Sequence, residues 1–236
     1  MYMLYAALHG PESTIVSDGC VWTKQVIIPL TWISAFLHSH RGHLVRSMHL
    51  DQHFRRGHVI SITTDASPLG MGGFLAINYG IVEYFSVPTT AEDAWRVGLE
   101  WADDSTCQQA FEAMTMLIAL RLWKHKWAES RCTLHVRSDN LATLSAVTKM
   151  QSHSTSLGII AREMALDVAE GIYEPAVAAH VPGVANLTAD ALSRQYMPGQ
   201  RKCQVPETLK HATRVHPPVR NNKYWRTVTP PTPSKW

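Results

Sequence analysis

The sequence predicts an α/β fold on a mixed five-stranded sheet, three antiparallel strands followed by parallel ones, flanked by helices. Three observations carry that expectation. Between Val59 and Tyr84, β-branched runs alternate with glycine-rich punctuation, as in a meander of strands. After Cys107 the apolar spacing turns helical and then alternates helix with short strand, which calls for parallel pairing through crossovers. Hydrophobic residues make up 45% of the 236 and charged ones 17%, enough to bury one substantial core.

Val59-Ile60-Ser61-Ile62-Thr63-Thr64-Asp65 reads as the first strand, Phe74 to Tyr79 as the second and Ile81 to Val87 as the third. Gly70, Gly72 and Gly73 fit the hairpin turn between the first two. Pro88 to Asp104 is a polar, acidic break, after which Ser105 or Thr106 can cap a helix running from Cys107 to about Trp127. Thr133 to Val136 is a short strand, ended by Ser138-Asp139-Asn140, where a helix through Leu141, Leu144 and Val147 begins. A second helix occupies roughly Leu157 to Glu170. Ala176 to Val181 makes the last strand, Pro182-Gly183 a turn, and Leu187 to about Gln195 the closing helix.

These elements account for residues 59–196 as one domain. Residues 1–58 form an upstream segment with six histidines and four arginines between Leu37 and His58, and residues 197–236 a basic, Pro-rich tail. The tail offers no apolar periodicity and is expected to be flexible, without a core of its own. Net charge is +3, yet residues 60–196 hold 15 Asp/Glu against 9 Lys/Arg, and the last forty hold 8 Lys/Arg against one Glu. Cys20, Cys107, Cys132 and Cys203 are far apart and form no CxxC pair, which excludes a disulfide framework and a structural zinc site and leaves reduced thiols. Met1 to Leu8 is apolar but lacks a basic flank and meets Gly10-Pro11. Neither a signal peptide nor a membrane span is expected, and the location read from this is intracellular, cytoplasm or nucleus.

Four acids stand in apolar surroundings. Asp65 follows a β-branched strand, where a carboxylate is costly unless it meets a cation or donors; its ordinary reading is a turn residue beside Ser67-Pro68. Glu112 shares a helix face with Met116 and Ala119, and its ordinary reading is a first-turn acid favoured by the helix dipole. Asp139 could serve as an N-cap, and Asp190, early in the closing helix, as a dipole partner. Together they suit hard oxygen ligation of Mg²⁺ or Mn²⁺, not zinc.

Thr64-Asp65-Ala66-Ser67, Phe111-Glu112-Ala113, Ser138-Asp139-Asn140 and the run His180-Val-Pro-Gly183-Val-Ala-Asn186-Leu-Thr-Ala-Asp190-Ala-Leu192-Ser193-Arg194 resemble, in order, the motifs of the type 1 ribonuclease H family. The closing run is similar to that of RNase H domains in gypsy-like and DIRS-like retroelements and pararetroviruses. The resemblance covers about Val59 to Gln195. It implies an RNase H-like fold and a two-metal endonuclease that cuts the RNA strand of an RNA–DNA hybrid, as in a retroelement reverse transcriptase. It further implies two Mg²⁺ (or Mn²⁺) ions, with Asp65, Glu112, Asp139 and Asp190 as ligands and His180 handling protons or product release. For His180 the ordinary reading is a polar residue at a strand end; Asn186, Ser138 and Asn140 are read first as helix caps.

Residues 1–58 then fit the end of a polymerase or connection region, making a reverse transcriptase polymerase domain a candidate partner; no motif of paired aspartates precedes the domain. The competing expectation is an RNase H-like domain without catalysis that binds nucleic acid or connects other domains. Gly70-Met71-Gly72-Gly73 lacks the Lys-Ser/Thr of a P-loop, and His38, His40 and His43 have no carboxylate or Cys cluster to complete a metal site. Trp95 and Trp101 are read as loop anchors rather than base-stacking platforms. Met150 to Gly158 contains no Lys or Arg. Grip on a polyanion is therefore expected from the flanks: Arg41, Arg46, Arg55 and Arg56 upstream, and Arg201, Lys202, Lys210, Arg214, Arg220, Lys223 and Arg226 in the tail.

Overall fold

A computed structural model of the chain describes residues 57–101, 107–127, 132–150, 154–170, 177–199 and 205–225, a short helical stretch within 30–38, and the single residues 152, 172, 173 and 175. β1 (His58–Ser67) is buried along nearly its whole length because it lies inside the sheet. β2 (Gly70–Ile77) pairs with it antiparallel on one side and β4 (Cys132–Ser138) parallel on the other. β3 (Gly80–Pro88) continues antiparallel beyond β2, and β5 (Val177–His180) parallel beyond β4. The five expected strands are present in the expected senses. A sixth, β6 (Thr213–Arg214), comes from the tail and pairs with Glu83 and Tyr84, so the order is β5-β4-β1-β2-β3-β6.

The glycines read as a hairpin turn lie within β2 instead. Ser67 makes the β1–β2 turn, its Oγ accepting the Gly70 N–H at 3.0 Å. The β2–β3 hairpin turns at Asn78 (φ 48°) and Tyr79 (φ 72°), the pair of left-handed residues that a two-residue loop on twisted strands requires. Within the acidic break stands an unexpected helix, α1 (Ala91–Arg96), opened by a reciprocal box in which Thr90 caps the Asp93 N–H and Asp93 caps the Thr90 N–H.

α2 (Gln108–Leu122) is buried on every side from Ala110 to Leu120, which is why its sequence is apolar nearly all round. Cys107 occupies its N-cap position without a side-chain bond; Ser105 and Thr106, the expected caps, lie outside the described residues. α2 rests on β1 and β2, and α3 (Leu141–Lys149) and α4 (Thr155–Ala169) pack on α2. α5 (Leu187–Ser193) packs on β1 and β2. Arg121 of α2 is held between Glu163 and Asp167 of α4 at 2.7 Å each, so this buried guanidinium has carboxylate partners. Cys107 and Cys132 are buried and stand in no disulfide; Cys20 and Cys203 lie outside the described residues.

The tail differs most from expectation. Leu209 is buried against Tyr84 and Leu192, Trp225 joins the main core, and Arg220 pairs with the buried Asp93 at 2.6 Å. Residues 205–225 therefore pack with the folded domain through Leu209, Ala212, Val215, Tyr224 and Trp225, while Val205 and Val219 stay exposed, and β6 covers the edge of β3.

Candidate metal centre

β1 and β4 run parallel with Thr63 opposite Arg137, so two residues further on Asp65 and Asp139 arrive side by side at the same end of the sheet. Asp65 is still inside β1, opposite Gly72, whereas Asp139 sits just past the end of β4. Glu112, the fifth residue of α2, reaches the same place from above the strands. One oxygen from each of Asp65, Glu112 and Asp139 lies within 4.8 Å of the other two. Asp65 and Glu112 are buried and Asp139 is half-buried.

Neighbours perform the ordinary tasks that would otherwise explain these acids. Asn140, not Asp139, caps α3, its Oδ1 accepting the Ala142 and Thr143 N–H groups at 2.8 and 3.1 Å. Glu112 lies beyond the first turn of its helix, where the dipole no longer accounts for it. Glu112 Oε2 and Asp139 Oδ1 are buried without any hydrogen-bond partner. Such atoms are expensive unless something outside the chain satisfies them.

Burial pushes the Asp65 carboxyl up to about 7; the Asp139 and Asp190 charges add to the rise, and a hydrogen bond from Ser193 opposes it. Burial likewise lifts Glu112 to about 8, helped by the Asp65 charge and opposed by a hydrogen bond from Gln108. The group is thus self-repelling when fully ionised. Its donors are all carboxylate oxygens, a set suited to a hard divalent cation.

Asp190 stands outside the group of three. It is the fourth residue of α5, half-exposed, and its Oδ1 accepts from Arg194 Nε at 2.6 Å. His180, exposed at the end of β5, brings Nε2 to 3.1 Å from the Asp139 backbone carbonyl rather than from its carboxylate. Asn186 precedes α5 but does not cap it with its side chain; its Nδ2 donates to the Thr64 carbonyl at 3.3 Å and ties the closing loop to β1.

Two neutral donors were not anticipated from sequence. Gln108 Nε2 donates to Glu112 Oε1 at 3.1 Å and to the Ala66 carbonyl at 2.5 Å, and Ser193 Oγ donates to Asp65 Oδ2 at 2.5 Å. The i, i+4 spacing of Gln108 and Glu112 was the one signal available for the first. Trp95 and Trp101 are partly exposed, with Arg96 over the Trp95 ring, and His40, His43, Arg41, Arg201, Lys202 and Arg226 lie outside the described residues.

No protein-family model matches the chain, and no curated protein does. Among solved structures, RNase H1 from the halophilic archaeon Halobacterium salinarum NRC-1 is similar at 18% identity over 60% of this chain and 99% of that one, with a TM-score of 0.44. A foamy viral protease-reverse transcriptase in complex with double-stranded DNA is similar at 12% identity over 76% of this chain and 29% of that one, TM-score 0.34. A second structure of that viral protein with double-stranded DNA gives 14% identity, 75% and 33% coverage, and a TM-score of 0.31. Likeness at this level decides neither substrate nor chemistry, which rest on the chain's own residues.

Proposed function

We propose that the chain is a ribonuclease H that hydrolyses the RNA strand of RNA–DNA hybrids during reverse transcription of a retroelement, using two Mg²⁺ or Mn²⁺ ions held by Asp65, Glu112, Asp139 and Asp190. The observation that carries this reading is the buried trio of carboxylates with unsatisfied oxygens on Glu112 and Asp139. The closing His180-to-Arg194 motif, which resembles that of retroelement RNase H domains, supports the choice of substrate.

Bound cations would activate the attacking water and neutralise charge on the leaving 3′ oxygen. The chain's own part is to keep Asp65, Glu112 and Asp139 close in a site poor in competing donors, with Asp190 on the flank and His180 beside Asp139 at the solvent edge, available to move a proton. A reverse transcriptase polymerase domain is the partner this reading implies. Among the described residues no helix is long and apolar enough to cross a membrane.

One observation favours a second reading, a domain that binds or connects without cutting: Asp190 is engaged by Arg194 and not gathered with the other acids. Cleavage of a labelled RNA–DNA hybrid with Mg²⁺, with Mn²⁺ and with a chelator separates the two. The expected result is metal-dependent cutting of the RNA strand that Asp139→Asn abolishes while the circular dichroism spectrum is retained. A folded wild-type chain that is inert with both metals would establish the second reading.

A further inference from the structure

Two glycines of β2 form the floor on which α5 ends. A Cβ at Gly70 would stand 2.2 Å from the Ser193 carbonyl oxygen, and one at Gly72 would stand 2.4 Å from Leu192 Cβ, so helix backbone rests directly on strand backbone. The last carbonyls of α5 have no helical donors, and the sheet supplies hydroxyls instead. Ser86 Oγ donates to the Leu192 carbonyl at 2.7 Å and Ser67 Oγ to the Ser193 carbonyl at 2.8 Å. Gly72 is the register partner of Asp65, so the notch that admits α5 also brings Ser193, fully buried, onto the Asp65 carboxylate.

The Ser193 hydroxyl has one proton and two acceptors in reach, Asp65 Oδ2 at 2.5 Å and the Asp190 carbonyl at 2.9 Å. The carboxylate is both closer and better able to hold the proton as an ionised acceptor. Glu112 follows the same plan, with Oε1 held by Gln108 and Oε2 without a partner. A neutral donor suits this position. A Lys or Arg there would satisfy the charge that a cation must satisfy, whereas a hydroxyl orients the carboxylate without neutralising it.

Resting on the reading of Asp65, Glu112 and Asp139 as cation ligands, we propose that Ser193 is a positioning residue for that site: its hydroxyl holds one oxygen of Asp65 and leaves the other for the cation. Losing an orienting partner of a metal ligand typically costs about 10–100-fold in metal affinity. The test is a titration of the full chain with Mn²⁺ alone, free Mn²⁺ being read by electron paramagnetic resonance, beside melting curves without metal. Ser193→Ala and Ser193→Cys are compared with wild type; the Cys variant keeps the volume but is a poor donor, which guards against simple loss of packing. The expected result is weaker Mn²⁺ binding by about 10-fold or more in both variants. Affinities within about twofold of wild type would overturn the positioning role while the metal site stands. Failure of wild type itself to bind Mn²⁺ any better than Asp139→Asn would overturn the metal reading beneath it.

Discussion

Ser67 makes the β1–β2 turn and Asn140 caps α3, so Asp65 and Asp139 are left with charge and no local structural duty. That division of labour has a consequence for pH. Asp65 and Glu112 titrate near 7 and 8 in the fold, above their ordinary values of 3.8 and 4.5, so between about pH 4 and 8 the metal-free native state holds protons that the unfolded chain has lost. Their contribution to stability is therefore full below pH 4 and is lost as the pH rises through 7 and 8. The melting temperature of the metal-free protein is expected to fall from pH 5.5 to pH 8.5, and Mg²⁺ to raise it more at the upper pH, where the ligands are ionised; an equal gain at both would show that these carboxyls do not bind it. For His180→Ala the expected outcome is slower cleavage by about two to four orders of magnitude with metal affinity kept, since the ring bonds the Asp139 backbone carbonyl and not its carboxylate. Lost metal binding in that variant would make His180 a ligand. The acids were legible in the sequence as carboxylates in apolar contexts, but the assignment of turn and cap to their neighbours was not, because Asp65 and Ser67 both suit the turn and Asp139 and Asn140 both suit the cap.

At the scale of elements, the glycines of β2 under α5 leave the least room for a side chain among the described glycines. Gly72→Ala would drive a methyl into Leu192 and the Ser193 amide, both within 2.7 Å of where it must sit, and backbone there cannot swing aside as a flexible side chain would. A loss of about 1–3 kcal/mol in urea unfolding is expected, the usual cost of overpacking. Because the same contact seats Ser193 on Asp65, cleavage should fall further than the folded fraction does; activity that tracks the folded fraction alone would uncouple the notch from the site. The glycines were misread from sequence for a physical reason. Gly-x-Gly-Gly between two strand-like runs is as good a turn signal as local chemistry provides, and the need for flatness arises only from α5, more than a hundred residues later. The helices and strands with clear periodicity were legible, whereas α1 was hidden by its six-residue length despite the Thr90–Asp93 box.

Over the whole molecule, the question is what the basic tail does with its charge. Composition suggested an arm for gripping a polyanion, yet in the described part Arg220 is committed to Asp93 and the Pro88 carbonyl, Arg214 to the Ser86 carbonyl, and Lys210 to Glu207. The Lys210 pair is exposed and worth little, but the Arg220 pair is buried, with the Asp93 side chain 2% exposed and Arg220 12%. Removing one member of such a pair strands the other. Arg220→Ala is therefore expected to lower the unfolding free energy by about 3–5 kcal/mol, and Asp93→Asn in the same chain to recover part of it by removing the stranded charge. Deleting residues 205–236 should cost at least as much, since Leu209 and Trp225 leave the core with it. Denaturant unfolding of these variants checks the structural half of the argument. Binding of an RNA–DNA hybrid across salt concentrations checks the other half. A cation spent on Asp93 releases no counterion from a phosphate, so the log–log salt slope of Arg220→Ala should match that of wild type wherever both are folded. A slope shallower by about 0.9 would return Arg220 to the nucleic acid and make its contact with Asp93 a resting place in the absence of substrate.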